Sequence, residues 1–154
     1  MISGGRWQMM IDEPNIEIRM IHPNSKTPLI SDESGRITLY TCAQVGGNVI
    51  WLPGNGYTRI HTGIELIVPS GYVGMMSTSQ SRLDNLMISL FPACSILDSS
   101  VTGEIIINVA NFSDNVVCIK DGEPLVDIII QKAIIPKTIK ITNTVTDRLN
   151  NIPS

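Results

Sequence analysis

Few residues in this chain of 154 combine a reactive type with a useful setting. Asp98 follows Ile96-Leu97 and precedes Ser99-Ser100. By type and place it is an Asp that ends a strand and starts a turn. A carboxylate within hydrogen-bond reach of a water can also take that water's proton. His22 and His61 stand far apart, with no other ligands at metal-site spacing, and read as surface or turn histidines. No Ser-His-Asp order and no glycine-rich phosphate loop stands out. Cys42, Cys94 and Cys118 are odd in number and distant, without a Cys-x-x-Cys, which argues against a disulfide framework or zinc site and suits a reducing compartment. Trp7 and Trp51 could stack on a base but read first as core or interface residues. Met9, Met10, Met75, Met76 and Met87 read as gap fillers in core and interface.

The elements that must position these groups are short. Apolar runs rich in β-branched residues are bounded by Gly, Pro, Asn, Asp or Ser, the pattern of many strands. Strands are predicted at 16–21, 36–43, 48–52, 58–68, 71–77, 87–90, 94–97, 104–110, 115–120, 124–134 and 138–144. Pro53-Gly54-Asn55-Gly56 reads as a loop, and Pro69-Ser70-Gly71-Tyr72 and Lys120-Asp121-Gly122-Glu123 as hairpin turns. Only 80–86 could form a short helix. So many strands in a small chain imply an all-β sandwich, jelly roll or closed barrel. The length suits one domain spanning 1–154, with loose ends at about 1–12 and 147–154.

Hydrophobic residues make up 43% and charged residues 16% of the chain. That is apolar enough to suggest that some surface is buried between subunits. The net charge is −3 and the 11 Lys and Arg are scattered, so no grip on a nucleic acid polymer is expected, whereas a small anion held by two or three donors fits. No leader or membrane-length apolar stretch is read, and a cytoplasmic location is expected.

From Thr62 onward the order of motifs resembles the trimeric dUTP pyrophosphatase (dUTPase) and dCTP deaminase superfamily. Thr62-Gly63-Ile64 and Pro69-Ser70-Gly71-Tyr72-Val73-Gly74 are similar to its threonine-glycine strand and proline-glycine-tyrosine hairpin. Ser79-Gln80-Ser81-Arg82-Leu83 falls where the family has Ala-Arg-Ser-Ser-Leu. Ile96-Leu97-Asp98 and Thr102-Gly103-Glu104-Ile105 fall where it has a catalytic Asp and a Gly-Glu hairpin. Asn111-Phe112 resembles its strand-ending Asn, Gly122-Glu123-Pro124-Leu125-Val126-Asp127-Ile128 its Gly-Asp-Arg-Ile-Ala-Gln-Leu, and Thr146-Asp147-Arg148 the start of its C-terminal arm. The match runs in order from about Gly35 to Arg148, and it bears on fold more than on activity.

The resemblance implies a β jelly roll or barrel assembled as a homotrimer. Active sites would lie between subunits, with a nucleoside triphosphate and Mg²⁺ bound and Asp98 as general base. It places ligand-binding roles on Gln80, Ser81, Arg82, Asp98, Val101, Thr102, Gly103, Glu104 and Asp127. Several of these depart from the family pattern. Val101 stands where a Tyr ring covers the deoxyribose. Ser100 replaces a second Asp. Neutral Gln80 replaces the phosphate-clamping Arg, with Arg82 two positions later. Thr38 stands in the Asp position of the first motif, and Asp127 replaces the Gln of the fourth. After Arg148 there is no Gly and no aromatic residue, so the family's water-excluding arm has no counterpart. Asn108, where the deaminase branch has its Glu, disfavours deamination.

Erosion of this extent predicts a catalytically inactive nucleotide-binding protein of the fold, from a virus or phage and so in host cytoplasm, which could sequester a nucleotide signal of host defence. One alternative is an active, divergent dUTP pyrophosphatase using Asp98 and Mg²⁺. Another is a protein-binding trimer with empty clefts.

Overall fold

A computed structural model of the protein describes residues 13–43, 49–79, 88–90 and 94–145. All eleven elements among them are strands: β1 (Glu17–Met20), β2 (Leu29–Ile30), β3 (Ile37–Tyr40), β4 (Val49–Leu52), β5 (Tyr57–Ile67), β6 (Tyr72–Thr78), β7 (Ile88–Leu90), β8 (Cys94–Leu97), β9 (Glu104–Asn111), β10 (Val117–Lys120) and β11 (Pro124–Lys132). Two-residue alternation forms them. In β5, Ile60, Thr62, Ile64 and Leu66 are buried while Arg59, His61 and Glu65 face outward, and in β9 Ile105, Ile107 and Val109 are buried in the same rhythm. A helix would scatter those residues around its circumference.

The strands build a four-stranded sheet β1-β5-β9-β7, a five-stranded sheet β2-β3-β11-β6-β8 and a β10-β4 pair. All three supply one hydrophobic core: Ile60, Ile64 and Ile107 from the first, Leu39, Val126 and Ile128 from the second, Leu52 and Ile119 from the third. This is the all-β barrel architecture expected.

The chain crosses between sheets at its turns, which corrects three expectations. The turn at Gly71 joins β5 to β6, the one at Gly122 joins β10 to β11, and 98–103 joins β8 to β9. In each case the flanking strands belong to different sheets, so none of the three closes a hairpin. Turn chemistry fixes the local bend, as the positive φ of Gly71, Gly103 and Gly122 shows. It does not fix ladder partners, which are long-range choices. Segment 138–144, predicted as a strand, forms no strand and pairs with none of the described residues. Its Ile139 and Ile141 are 74% and 91% exposed, as Ile134, Ile135 and Val145 are also exposed, and alternation supplies one apolar face without a partner. The two-residue β2, set between Pro28 and Ser31, escaped the sequence reading. The predicted helix at 80–86 and both loose ends lie outside the described residues. Among the described residues no helix is long and apolar enough to cross a membrane.

One irregularity matters for the site. The β5–β9 register shifts between His61 and Glu65, and side chains replace the ladder bonds there. Thr62 Oγ1 donates to Ile105 O at 2.7 Å, and Gly63 N donates to Glu104 Oε1 at 2.8 Å. Gly63 takes φ +67°, so Thr62-Gly63 is the hydroxyl and the left-handed residue that this break requires.

Candidate functional site

The turn 98–103 lies between β8 and β9, and Asp98 shapes its entry. Ser100 N and Oγ both donate to Asp98 Oδ1, and Val101 N donates to Asp98 O at 3.2 Å. The side-chain bond first, and the backbone bond after it, hold the exposed Asp98 carboxyl below the usual carboxylate range. A lowered acid contributes its stability above the ordinary Asp pKa and loses it only as pH falls through the lowered value. Asp98 is therefore charged at neutral and mildly acidic pH, the form a general base must have.

Val101 and Thr102 are exposed at the tip of the turn. At its exit two carboxylates face each other across the ladder, Glu65 and Glu104. Like charges opposite one another repel unless each is engaged. Glu65 Oε2 accepts from Gly103 N at 2.7 Å, and Glu65 Oε1 from Arg19 Nη1 at 3.0 Å. Glu104 Oε1 takes the Gly63 N–H, and Glu104 Oε2 lies 3.0 Å from His61 Nδ1.

Asp127 belongs to a second cluster. It is 9% exposed on β11 and pairs in register with Thr38 on β3. Thr38 Oγ1 donates to Asp127 Oδ1 at 2.7 Å, and Arg36 Nη1 lies 3.9 Å from Asp127 Oδ2. The carboxylate lines a cavity of about 590 Å³ together with Arg36, Ser77, Cys94, Ile129 and Gln131. Thr38 and Asp127 had read as two independent departures from the family pattern; the structure makes them one pair. A carboxylate and a hydrogen-bonding partner face each other here, with the acid on β11. Thr38→Val should cost about 1.5–3 kcal/mol, the range for a hydrogen bond to a charged group, measurable by urea unfolding. A loss near zero would show that Asp127 does not depend on Thr38.

Of the predicted site residues, the structure gathers Asp98, Val101, Thr102 and Gly103 on one turn with Glu104 at the start of β9, and places Asp127 on β11 in the five-stranded sheet. Gly103 N of the turn bonds Glu65 on β5, and no residue of the turn lines the cavity beside Asp127. Gln80, Ser81 and Arg82 lie outside the described residues. Asn108 is exposed on the outward side of β9. Sequence reasoning missed Glu65, Arg19 and Arg36, whose roles come from register and leave no local signal.

Among the described residues no group of three or more His, Cys, Asp and Glu could hold a metal ion. Asp98 and Asp127 stand as single carboxylates, which suits a Mg²⁺ that arrives on phosphate oxygens and does not suit a cation needing an all-protein cage.

Comparison with known proteins decides the family. A dUTPase family model matches residues 45–154. The chain belongs to the dUTPase family. A deoxyuridine 5'-triphosphate nucleotidohydrolase of Caldanaerobacter subterraneus subsp. tengcongensis is 30% identical over 112 residues, covering 73% of this chain and 74% of the relative. The Staphylococcus bacteriophage 80alpha dUTPase superposes with TM-score 0.72 at 14% identity, covering 84% of this chain and 97% of that one. An Asp-to-Asn variant of the dUTPase from phage phi11 of S. aureus, described in connection with a structural Mg(II) ion, gives TM-score 0.71 at 13% identity with the same coverages, 84% and 97%. At these identities the two phage structures establish the dUTPase-like β-barrel fold for this family member. The family match begins beyond Thr38 and so does not cover the first-motif resemblance.

Proposed function

We propose that this dUTPase-family protein is a homotrimer that binds a dUTP-like nucleoside triphosphate between subunits and hydrolyses it poorly. The observation that carries this reading is a site turn clamped at both ends, by Asp98 and by Glu65, with an exposed aliphatic Val101 at its tip. The frame for a ligand is kept, while the flat ring that would cover a sugar is absent. The trimer accounts for two further features. The exposed isoleucines of 134–141 gain an apolar partner, and the turn and the Asp127 cavity, separate within one chain, can face each other across an interface. Gln80, Ser81 and Arg82 complete the proposed ligand contacts. Mg²⁺ would enter with the phosphates. In host cytoplasm such a binder could sequester a nucleotide signal.

A second reading, active dUTP hydrolysis, is favoured by the ionised Asp98 and by the carboxylate that the Thr38–Asp127 pair retains. Asp98→Asn separates the two. Under the binding reading it leaves dUTP affinity within about three-fold, because one exposed carboxylate contributes little to holding an anion. Under the second it abolishes Mg²⁺-dependent pyrophosphate release, a loss of orders of magnitude. Calorimetric titration with dUTP and chromatography of the products give both values.

A further inference from the structure

Glu65 makes a contact that neither the family resemblance nor the proposed ligand set uses. It lies on β5, outside the turn, and reaches past its ladder partner Glu104 to the backbone of Gly103. Gly103 holds φ +84°, a conformation that turns its N–H out of the ladder and toward that carboxylate. The Glu65 side chain is 17% exposed, against 53% for Arg19, so the half-buried acid is the anchored member of the pair. Arg19 in turn is held by Glu17 Oε1 at 2.8 Å, which steers its guanidinium onto Glu65 Oε1.

We infer that Glu65 is a positioning residue for the ligand site: its bond to Gly103 N sets the height and tilt of the turn 98–103. The inference rests on the proposal that this turn meets the nucleotide. The turn's other clamp, Asp98 on Ser100, is internal to it and moves with it. Among the described residues, the Gly103 N bond to Glu65 ties the exit of the turn to another strand.

Three substitutions separate reach from charge. Glu65→Gln keeps an amide oxygen at the same reach and loses the charge. Glu65→Asp keeps the charge and loses one methylene of reach. Glu65→Ala loses both. Hydrogen exchange of the amides 99–103 and dUTP affinity are measured on the full-length protein. The expected order is Gln close to wild type, within about three-fold. Asp and Ala should be alike, with exchange at least about ten-fold faster and binding about ten-fold weaker, the scale of a hydrogen bond to a charged group. Arg19→Ala should change either readout by no more than about three-fold, since its ion pair is exposed. Gln behaving like Ala while Asp behaves like wild type would overturn the inference, because charge and not reach would then matter. So would an Ala variant that exchanges and binds as wild type. If Ala fails to fold, the Gln and Asp pair still decides. If wild type binds no nucleotide, the proposed function fails while exchange still tests the positioning.

Discussion

Asn111→Ala is expected to destabilise the protein by about 3–5 kcal/mol, at the diagnostic end of single substitutions. Asn111 ends β9, is 1% exposed, and serves two loops at once. Its Nδ2 donates to Leu52 O at 3.2 Å, Pro53 O at 3.1 Å and Asn115 O at 2.7 Å. An amide has two protons, so one of these is shared. Its Oδ1 accepts from Ser113 N at 3.0 Å and Ser113 Oγ at 2.8 Å. Alanine removes all five contacts of a buried amide, each contributing about 0.5–1.5 kcal/mol, while Pro53 O keeps the Gly56 N–H and Asn115 O the Ser113 hydroxyl. Thermal unfolding should show the midpoint falling by roughly 10 °C or more. Asn111→Asp should be no better, since it keeps the acceptor and sets a negative charge against three carbonyls. A loss below about 1 kcal/mol for alanine would mean that the loops at 53–56 and 113–115 hold themselves.

Gly63→Ala is the second large effect, expected at about 2–4 kcal/mol. The left-handed conformation alone costs a non-glycine residue about 1–2 kcal/mol. Space is the larger obstacle. A Cβ at Gly63 would sit 2.6 Å from Ser25 Cβ, 3.1 Å from His22 Cβ and 3.2 Å from Cys42 Sγ. The segment carrying Ser25 and His22 packs down on β5 there. Ile21 N donates to Gly63 O at 2.9 Å, and Cys42 Sγ lies 3.4 Å from His22 Nδ1. The clash predicts a non-additive rescue. Ser25→Gly alone should destabilise, by loosening the segment and losing the Ser25 Oγ bond to His22 O at 2.7 Å. In the Gly63→Ala background it should stabilise. Urea unfolding of the four proteins measures the coupling, and strict additivity would contradict the steric account.

These two positions show what sequence could convey. Thr62-Gly63 and Asn111 were legible because a register break and a strand end need a particular hydroxyl, a left-handed residue and a double-ended amide. The strands were legible because two-residue alternation is local, as in Ile60, Thr62, Ile64 and Leu66. Ladder partners were not. Gly71, Gly103 and Gly122 announce bends, but whether the chain folds back on itself or crosses to another sheet depends on residues far away. The same limit hid Glu65, an outward-facing acid on an alternating strand until β9 sets Gly103 beside it. It also made Thr38 and Asp127, 89 positions apart, look like two changes when they are one contact. Segment 138–144 fails in the opposite sense, since its pattern is a strand's and it finds no ladder partner among the described residues.

The most direct test is a thermal-shift titration of the purified protein with dUTP and Mg²⁺, with nucleotide products followed in the same samples. The proposed function predicts a midpoint that climbs with ligand concentration, corresponding to about 2.7 kcal/mol at a hundred-fold excess over Kd. The dUTP should be recovered intact, with turnover far below the roughly 1–10³ s⁻¹ of ordinary enzymes. Pyrophosphate release at ordinary rates would contradict it in favour of an active dUTPase, and a midpoint indifferent to dUTP would contradict a dUTP-like ligand.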